Sequence, residues 1–442
     1  MAEALRRSIR QGTIWRLHDT ESLRLVASAF LPELQRLTHA SRAIEQRVNG
    51  LASHVQNRRS PSNLIFDKDF DEINRTLTGF LALKWLISDD YATFTGGQDH
   101  KTKLSLSSFR RLRKLYLATL SDHDDSFTLI NALVINDLGK DKTLATALEA
   151  KTGRPHTMEN HDVVLYEAVQ AGIFPCMQNL GRQQRDDVLL GLETGARLNM
   201  AQLAQAENVP GSLDVILKLK GHEHAFELKF FEQVLDVAGA AGHIDSTCAK
   251  SFVEPVYQAF MTSHKVLTDI LHGRCTLREG YDDVLTQRAS TLYEKGYRRL
   301  DVRDSQERAL LRLMTMGRTT DHEQAEWFER AFQSLKPRTR ENLIMGLNVD
   351  GYKDGKAIIP YYMPALLQAG LHNTADDSAQ SKVDALASLM RFLTRILDGT
   401  SPSPGRPGEV IEHDLLFAKE TVAGRGFRDD PGILDKLDVT KS

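Results

Sequence analysis

The chain of 442 residues lacks the features that mark membrane proteins and secreted proteins. No apolar run approaches the ~20 residues that a membrane-spanning helix needs, and no apolar block follows the basic residues of the first segment, as a secretory signal requires. Only three cysteines are present, Cys176, Cys248 and Cys275, and no two of them form a CxxC pair. An odd number of scattered cysteines predicts a reducing compartment, so we expect a cytoplasmic protein that does not associate with membranes.

The sequence also lacks a strong excess of positive charge and the common catalytic motifs. The net charge of −3 argues against a dedicated nucleic-acid-binding protein. The basic segment 107–120 has apolar residues at helical spacing, which predicts an amphipathic helix with a solvated cationic face or, alternatively, a face that binds phosphate or RNA. The signatures GxGxxG, GxxxxGK[ST], HExxH and GxSxG are absent. The sequence leaves the oligomeric state open.

Helical periodicity dominates the chain and predicts an all-α fold. Segments 20–55, 69–87 and 224–242 place apolar residues at steps of three and four, and Pro32 is expected to kink or split the first of them. Segments 212–221 and 356–363 are richer in β-branched or aromatic residues and are compatible with either strand or helix. We predict an N-terminal helical hairpin (1–60), a helical core (61–300), a C-terminal helical lobe (301–400), and a Pro/Gly/Ser-rich linker with a tail (401–442).

The stretch "ALVINDLGKD" (132–141) contains the first candidate site residue, Asp137. The run before it is apolar on nearly all sides, which predicts a buried helix. A buried aspartate requires a cation, a metal ion or several hydrogen-bond donors. The alternative is an ordinary helix end, in which Gly139 adopts the left-handed conformation and Asp137 lies near the surface.

The same ten residues resemble the "ALLHDIGK" stretch of the HD metal-dependent phosphohydrolase superfamily, in which an apolar helix delivers a His-Asp pair to one or two metal ions. This resemblance implies an HD-like helical core, a divalent metal ion of unknown identity, Asp137 as a ligand and Lys140 as an assisting cation. The chain departs from the family at Asn136, which stands in the place of the histidine. The resemblance also implies an earlier histidine, for which His100 and His123 are candidates, and later ligands on other helices.

Two further segments offer those later ligands. His161 begins an apolar helix, although Asn160 and Asp162 beside it are also typical helix-capping residues. Segment 222–245 places acids and histidines among apolar and small residues, which let a helix or a ligand come close. The resemblance therefore implies a set of four metal ligands, Asp137, His161, His243 and Asp245. Glu227 and Asp236 are the candidate general bases or supports of the ligands, and Lys140 or Arg154 would bind an anionic substrate.

These features lead to one main functional hypothesis and two alternatives. The main hypothesis is a metal-dependent hydrolase acting on a small phosphorylated or otherwise anionic substrate, in which the ion lowers the pKa of bound water. One alternative is an HD-like di-iron oxygenase acting on a small metabolite. The other is a non-catalytic helical interaction protein, which Asn136 favours. For an enzyme we expect Asp236 or Glu227 to line an internal pocket with His161 or Asp137, and at least one acid of this segment to have a strongly perturbed pKa.

Overall fold

The structure is a computed structural model that describes residues 1–40, 59–156, 160–399, 401–402 and 408–439. Helix accounts for 69% of it, about twice the share in an average globular protein, which confirms the all-α prediction. The helices of the first half of the chain are α1 (Ala2–Arg10), α2 (Asp19–Ala29), α3 (Leu31–Ala40), α4 (Pro61–Phe66), α5 (Asp71–Ile87), α6 (Tyr91–Phe94), α7 (Leu106–Thr119), α8 (His123–Ile135), α9 (Lys142–Thr152), α10 (His161–Gln170) and α11 (Arg182–Gly195).

The second half of the chain continues with α12 (Met200–Ala204), α13 (Glu223–Gly239), α14 (Glu254–Leu271), α15 (Leu277–Glu294), α16 (Ser305–Met316), α17 (His322–Ser334), α18 (Pro337–Asn348), α19 (Met363–His372), α20 (Ala379–Ile396), α21 (Lys419–Ala423) and α22 (Arg425–Asp429). The strands are β1 (Gly355–Tyr361), β2 (Ser401–Pro402) and β3 (Glu409–Asp414). Short 3-10 helices lie at Asn136–Lys140, Pro175–Asn179, Pro210–Leu219, Leu397–Gly399, Leu416–Ala418 and Pro431–Lys436.

Local capping residues explain where several helices begin. The Asp122 side chain accepts from the backbone N–H of Asp124 at the start of α8, and Thr276 and Glu279 form a capping box at the start of α15. Such contacts satisfy backbone donors that the helix itself leaves unpaired. Near Pro32 the expected long helix is split, because α2 ends at Ala29 and α3 begins at Leu31. Residues 41–55 of that expected helix lie outside the described ranges.

The chain divides into two compact units, of which the first comprises residues 1–197 and 221–260. Its centre is the packing of α5 against α13, and both helices are buried on most of their circumference. Gly79 and Gly239 make this packing close. A Cβ atom on Gly79 would lie 2.8 Å from the carbonyl oxygen of Leu235, and a Cβ atom on Gly239 would overlap the carbonyl oxygen of Arg75. The small residues at the end of α13 therefore serve the approach of a neighbouring helix.

The second unit comprises residues 198–220 and 261–442. Its sheet has the order β2-β1-β3, in which β1 runs parallel to β3 with the register Lys356↔Glu409 to Tyr361↔Asp414 and antiparallel to β2. Arg312 on α16 is 1% exposed and donates hydrogen bonds to the backbone carbonyls of Ala206, Asn208 and Leu347. A buried guanidinium with several carbonyl acceptors satisfies otherwise unpaired backbone groups.

The two ambiguous segments resolve differently. Segment 356–363 contributes most of strand β1, whereas segment 212–221 lies mainly in the 3-10 helix Pro210–Leu219. The boundaries of the two units fall after residues 197, 220 and 260, while the finer division at residues 60, 300 and 400 stays a prediction. Residues 403–407 of the expected linker lie outside the described part of the chain. None of the described helices is long and apolar enough to cross a membrane.

Candidate functional site

Asp137 lies in the short 3-10 helix Asn136–Lys140, which connects α8 to α9. The residue is only 6% exposed, so the alternative that placed it near the surface is wrong. Its Oδ1 atom lies 2.7 Å from the Nζ atom of Lys140, and the same ammonium lies 3.3 Å from Oε2 of Glu72 on α5. The buried carboxylate therefore has the cationic partner that its burial demands.

Gly139 is required here for a reason that differs from the expected one. It is absent from the described glycines with a positive φ, so the predicted left-handed helix end is wrong. A Cβ atom at this position would instead overlap the carbonyl oxygen of His161 and lie 3.2 Å from Cβ of Leu165. Glycine therefore allows the first turn of α10 to pack directly against the segment that carries Asp137.

Asp137 is one of three carboxyl groups that come together from three separate elements. Glu72 comes from α5 and shares a hydrogen bond with Asp137, and Asp236 comes from α13 and is close enough to Asp137 for their charges to interact. Arg75, one turn after Glu72, pairs with it at 3.1 Å. We call Glu72, Arg75, Asp137, Lys140 and Asp236 the carboxylate cluster.

Burial and mutual repulsion give the three acids different protonation behaviour. Burial, with the negative charge of Asp137, raises the pKa of Glu72 to about 7. Burial, with the charges of Asp137 and Glu232, also raises the pKa of Asp236 to about 7. Burial acts on Asp137 in the same direction, but the charge of Lys140, the hydrogen bond with Glu72 and the charge of Arg75 outweigh it and lower the pKa of Asp137. At neutral pH Asp137 is ionised, whereas Glu72 and Asp236 exchange protons readily.

A second buried ion pair adjoins the cluster on α13. The Nζ atom of Lys229 lies 2.5 Å from Oε2 of Glu232, and both side chains are less than 10% exposed. The chain of Lys229 fits against α11 because Gly195 has no side chain, and a Cβ atom there would lie 2.7 Å from Cε of Lys229. Both residues line a cavity of about 20 Å³ together with Asp187, which is room for a single water molecule.

Asp187 links this region to His224 at the start of α13. The Nδ1 atom of His224 lies 2.9 Å from Oδ2 of Asp187, and its Nε2 atom lies 3.0 Å from Oδ1 of Asp125. Hydrogen bonds to Asp125 and Asp187 raise the pKa of His224 to about 10, against a smaller opposing effect of burial. The imidazole is therefore a cation at neutral pH and joins α8, α11 and α13.

The structure brings together only part of the residue set predicted from sequence. Asp137, Lys140 and Asp236 share the carboxylate cluster. The imidazole of His161 is 41% exposed and contacts Asp162 at 3.4 Å, while Asn160 caps α10 by accepting from the backbone N–H of Asp162, as the capping alternative proposed.

The remaining predicted residues lie elsewhere on or after α13. Glu227 is partly buried on α13, and His243 is partly buried in the turn that follows this helix. The carboxylate of Asp245 accepts from the backbone and hydroxyl of Thr247, within its own loop. In the described ranges, no group of three or more His, Cys, Asp or Glu side chains is placed to hold a metal ion. Metal binding by Asp137, His161, His243 and Asp245 stays a prediction.

Glu72, Arg75 and Lys229 were not identified from sequence. A signal was present for Glu72 and Arg75, since they stand three residues apart in a predicted helix (69–87) and such a spacing places them on one face. Lys229 stands between Leu228 and Phe230, and a cation in so apolar a surrounding requires a buried partner.

These observations define a two-unit helical protein in which a buried carboxylate cluster, compensated by Lys140 and Arg75, lies where α5, α13 and the 3-10 helix before α9 meet. The chain belongs to a family of unknown function, DUF6829, whose model matches residues 23–434. No curated protein and no solved structure matches the chain.

Proposed function

We propose that the chain is a hydrolase of a small phosphorylated or otherwise anionic substrate, and that the carboxylate cluster is its reactive centre. The observation that carries the proposal is the meeting of Glu72, Asp137 and Asp236 from three separate elements, two of them with a pKa of about 7. Ionisable groups with strongly shifted pKa values concentrate at functional sites. The resemblance to the HD superfamily is consistent with this proposal, because it implies a hydrolase in which Asp137 is a metal ligand and Asp236 is a candidate general base.

In this proposal Glu72 and Asp236 move protons, while Arg75 and Lys140 bind the substrate. A carboxyl group whose pKa lies near 7 can both accept and donate a proton at neutral pH, as a general base or acid requires. The side chains of Arg75 and Lys140 are 25% and 29% exposed, so solvent reaches the cluster on their side. An anionic substrate would bind there through charge-assisted hydrogen bonds.

The chemistry of the cluster also suits a hard divalent ion. Glu72, Asp137 and Asp236 offer only carboxylate oxygens, which are the ligand atoms that Mg²⁺ and Mn²⁺ prefer. The negative charges of these acids repel one another and so contribute to the raised pKa values of Glu72 and Asp236, and a bound cation would reduce this repulsion. In the described structure these three side chains are not placed to hold an ion. After a rearrangement they would hold one, which when bound would lower the pKa of a water molecule. The ammonium of Lys140 pairs with Asp137 and Glu72, so it would have to move away from these two carboxylates before the ion could bind.

The test compares hydrolysis of p-nitrophenyl phosphate by the native chain and by Asp137→Asn and Asp236→Asn, each with and without added Mg²⁺ or Mn²⁺. We expect both variants to lose activity by at least about a hundredfold, the scale of general acid–base catalysis, while the helical dichroism spectrum is retained. Asp186→Asn, an exposed acid on α11, is the matched control. Loss of activity in Asp245→Asn but not in Asp236→Asn would favour the ligand set predicted from sequence.

The non-catalytic interaction protein is the second candidate, and the position of Lys140 favours it. An internal ammonium that already compensates Asp137 and Glu72 gives the cluster a structural use without a metal or a substrate. On this alternative, purified protein contains no stoichiometric divalent metal by elemental analysis, and the Asp137→Asn and Asp236→Asn variants change only stability. Metal at one or two equivalents, lost in Asp137→Asn, would contradict it.

A further inference from the structure

Helix α7 presents one face that the packing of the first unit does not use. Its buried face consists of Ser108, Phe109, Leu112 and Tyr116. The opposite face carries Leu106, Arg110, Arg113, Lys114 and Leu117, which lie within an arc of about 100° at 3.6 residues per turn. Leu106 and Leu117 are 40% and 43% exposed, and they stand at the two ends of the stripe of cations.

A groove runs along this face, with a volume of about 460 Å³ and a lining of Arg110, Arg113, Lys114, Leu117, Ala118 and Asp89. Three cations therefore face one acid, although the whole chain has a net charge of −3. The guanidinium of Arg113 is held in place because its Nε and Nη2 atoms donate to the carbonyl of Ile87 at 3.3 and 3.1 Å. Three of its five N–H groups stay available for a further acceptor.

We propose that this α7 groove binds an acidic peptide segment of a partner protein, with an apolar side chain among its carboxylates. The charge of the groove is complementary to carboxylates, and the fixed guanidinium of Arg113 suits their planar geometry. The exposed part of Leu117 and the methyl group of Ala118 form an apolar surface against which the apolar side chain of the peptide can pack. An open surface groove of this volume accommodates a few side chains of a peptide.

The test measures binding of a fluorescein-labelled synthetic peptide, Glu-Leu-Glu-Glu-Leu-Glu, to the full chain by fluorescence anisotropy. We expect saturable binding that weakens with salt, since exposed ion pairs are screened. The double reversal Arg110→Glu with Lys114→Glu should weaken binding on the order of tenfold or more, the effect of two lost ion pairs and of new repulsion. The control reversal Arg182→Glu with Arg185→Glu, on exposed residues of α11, changes the net charge equally and should alter the affinity less than about twofold.

Further arms separate the acidic peptide from other anionic partners. The same peptide with Gln in place of Glu should not bind, and phosphatidylserine vesicles and a single-stranded oligonucleotide should bind more weakly than the acidic peptide. Equal loss of binding in both charge-reversal variants would overturn the proposal, because it would show a response to net charge alone. Tighter binding of vesicles or oligonucleotide, abolished by the Arg110→Glu and Lys114→Glu reversal, would overturn it in favour of that partner.

Discussion

Replacing Asp236 by Asn should change how the stability of the protein depends on pH. An aspartate whose pKa is raised on folding binds more protons in the folded state than in the unfolded state between its two pKa values. For Asp236 these are 3.8 and about 7. The free energy of unfolding of the native protein therefore falls as the pH rises through this window, and the full penalty is present above pH 7. Asparagine has a similar shape and no charge, so the variant escapes the penalty.

The magnitude follows from the size of the pKa change. A rise from 3.8 to about 7, at about 1.4 kcal/mol for each pKa unit, sets an upper limit of about 4 kcal/mol over the whole window. Roughly two thirds of the window lies between pH 5 and pH 8. Asp236 is also partly exposed, and solvent screening reduces the effect further. We expect the loss of stability between pH 5 and pH 8 to be smaller in Asp236→Asn by about 2 kcal/mol.

Urea denaturation followed by far-ultraviolet circular dichroism at pH 5 and pH 8 measures this difference. Asp186→Asn is the control, since it removes an exposed acid from the same unit and should leave the pH dependence unchanged. If the native protein and Asp236→Asn lose the same free energy between the two pH values, then Asp236 does not share a buried site with Asp137, and the carboxylate cluster is wrong. Such a result would also remove the main support for the proposed hydrolase.

Three further predictions concern contacts inside each of the two units, taken separately. Gly139→Ala should destabilise the protein by about 1–3 kcal/mol, because its Cβ atom would overlap the carbonyl of His161. Gly153→Ala, a substitution at an open, left-handed helix end, is measured alongside for comparison. An unchanged urea midpoint in Gly139→Ala would show that α10 does not pack against this residue. His224→Gln should cost about 1–2 kcal/mol at pH 7, after allowance for its 39% exposed side chain. Because the pKa of His224 is raised on folding, its stabilisation of the protein is fully present below its ordinary pKa of 6.5 and is lost as the pH passes about 10. If His224→Gln is still less stable than the native protein at pH 11, that result would contradict the two aspartate contacts. Arg312→Met should lower the free energy of unfolding by about 1–3 kcal/mol, because the buried carbonyls of Ala206, Asn208 and Leu347 lose their donor. Arg303→Met, at an exposed arginine, is the control, and an equal or smaller loss in Arg312→Met would refute the buried network.

The secondary structure was largely determined by local sequence. Apolar spacing predicts the helices because a helix that packs on one side repeats its apolar residues every three or four positions, and the fold is all-α as expected. Pro32 marks the break between α2 and α3 because proline removes a backbone donor. The sequence left the burial of Asp137 open, since the run before it is apolar on nearly all sides but a helix end at Gly139 would have placed Asp137 near the surface.

The partners of Asp137 were decided by tertiary structure. Glu72 stands 65 positions earlier in the chain and Asp236 stands 99 positions later, and no local pattern measures the distance between them. Their meeting depends on the backbone contact of α5 with α13, which Gly79 and Gly239 permit. The same holds for Gly139, since a glycine near a helix end suits either a left-handed turn or a close neighbour. Only the packing of α10, which brings the carbonyl of His161 against it, selects between the two, because that contact joins residues that the sequence keeps apart.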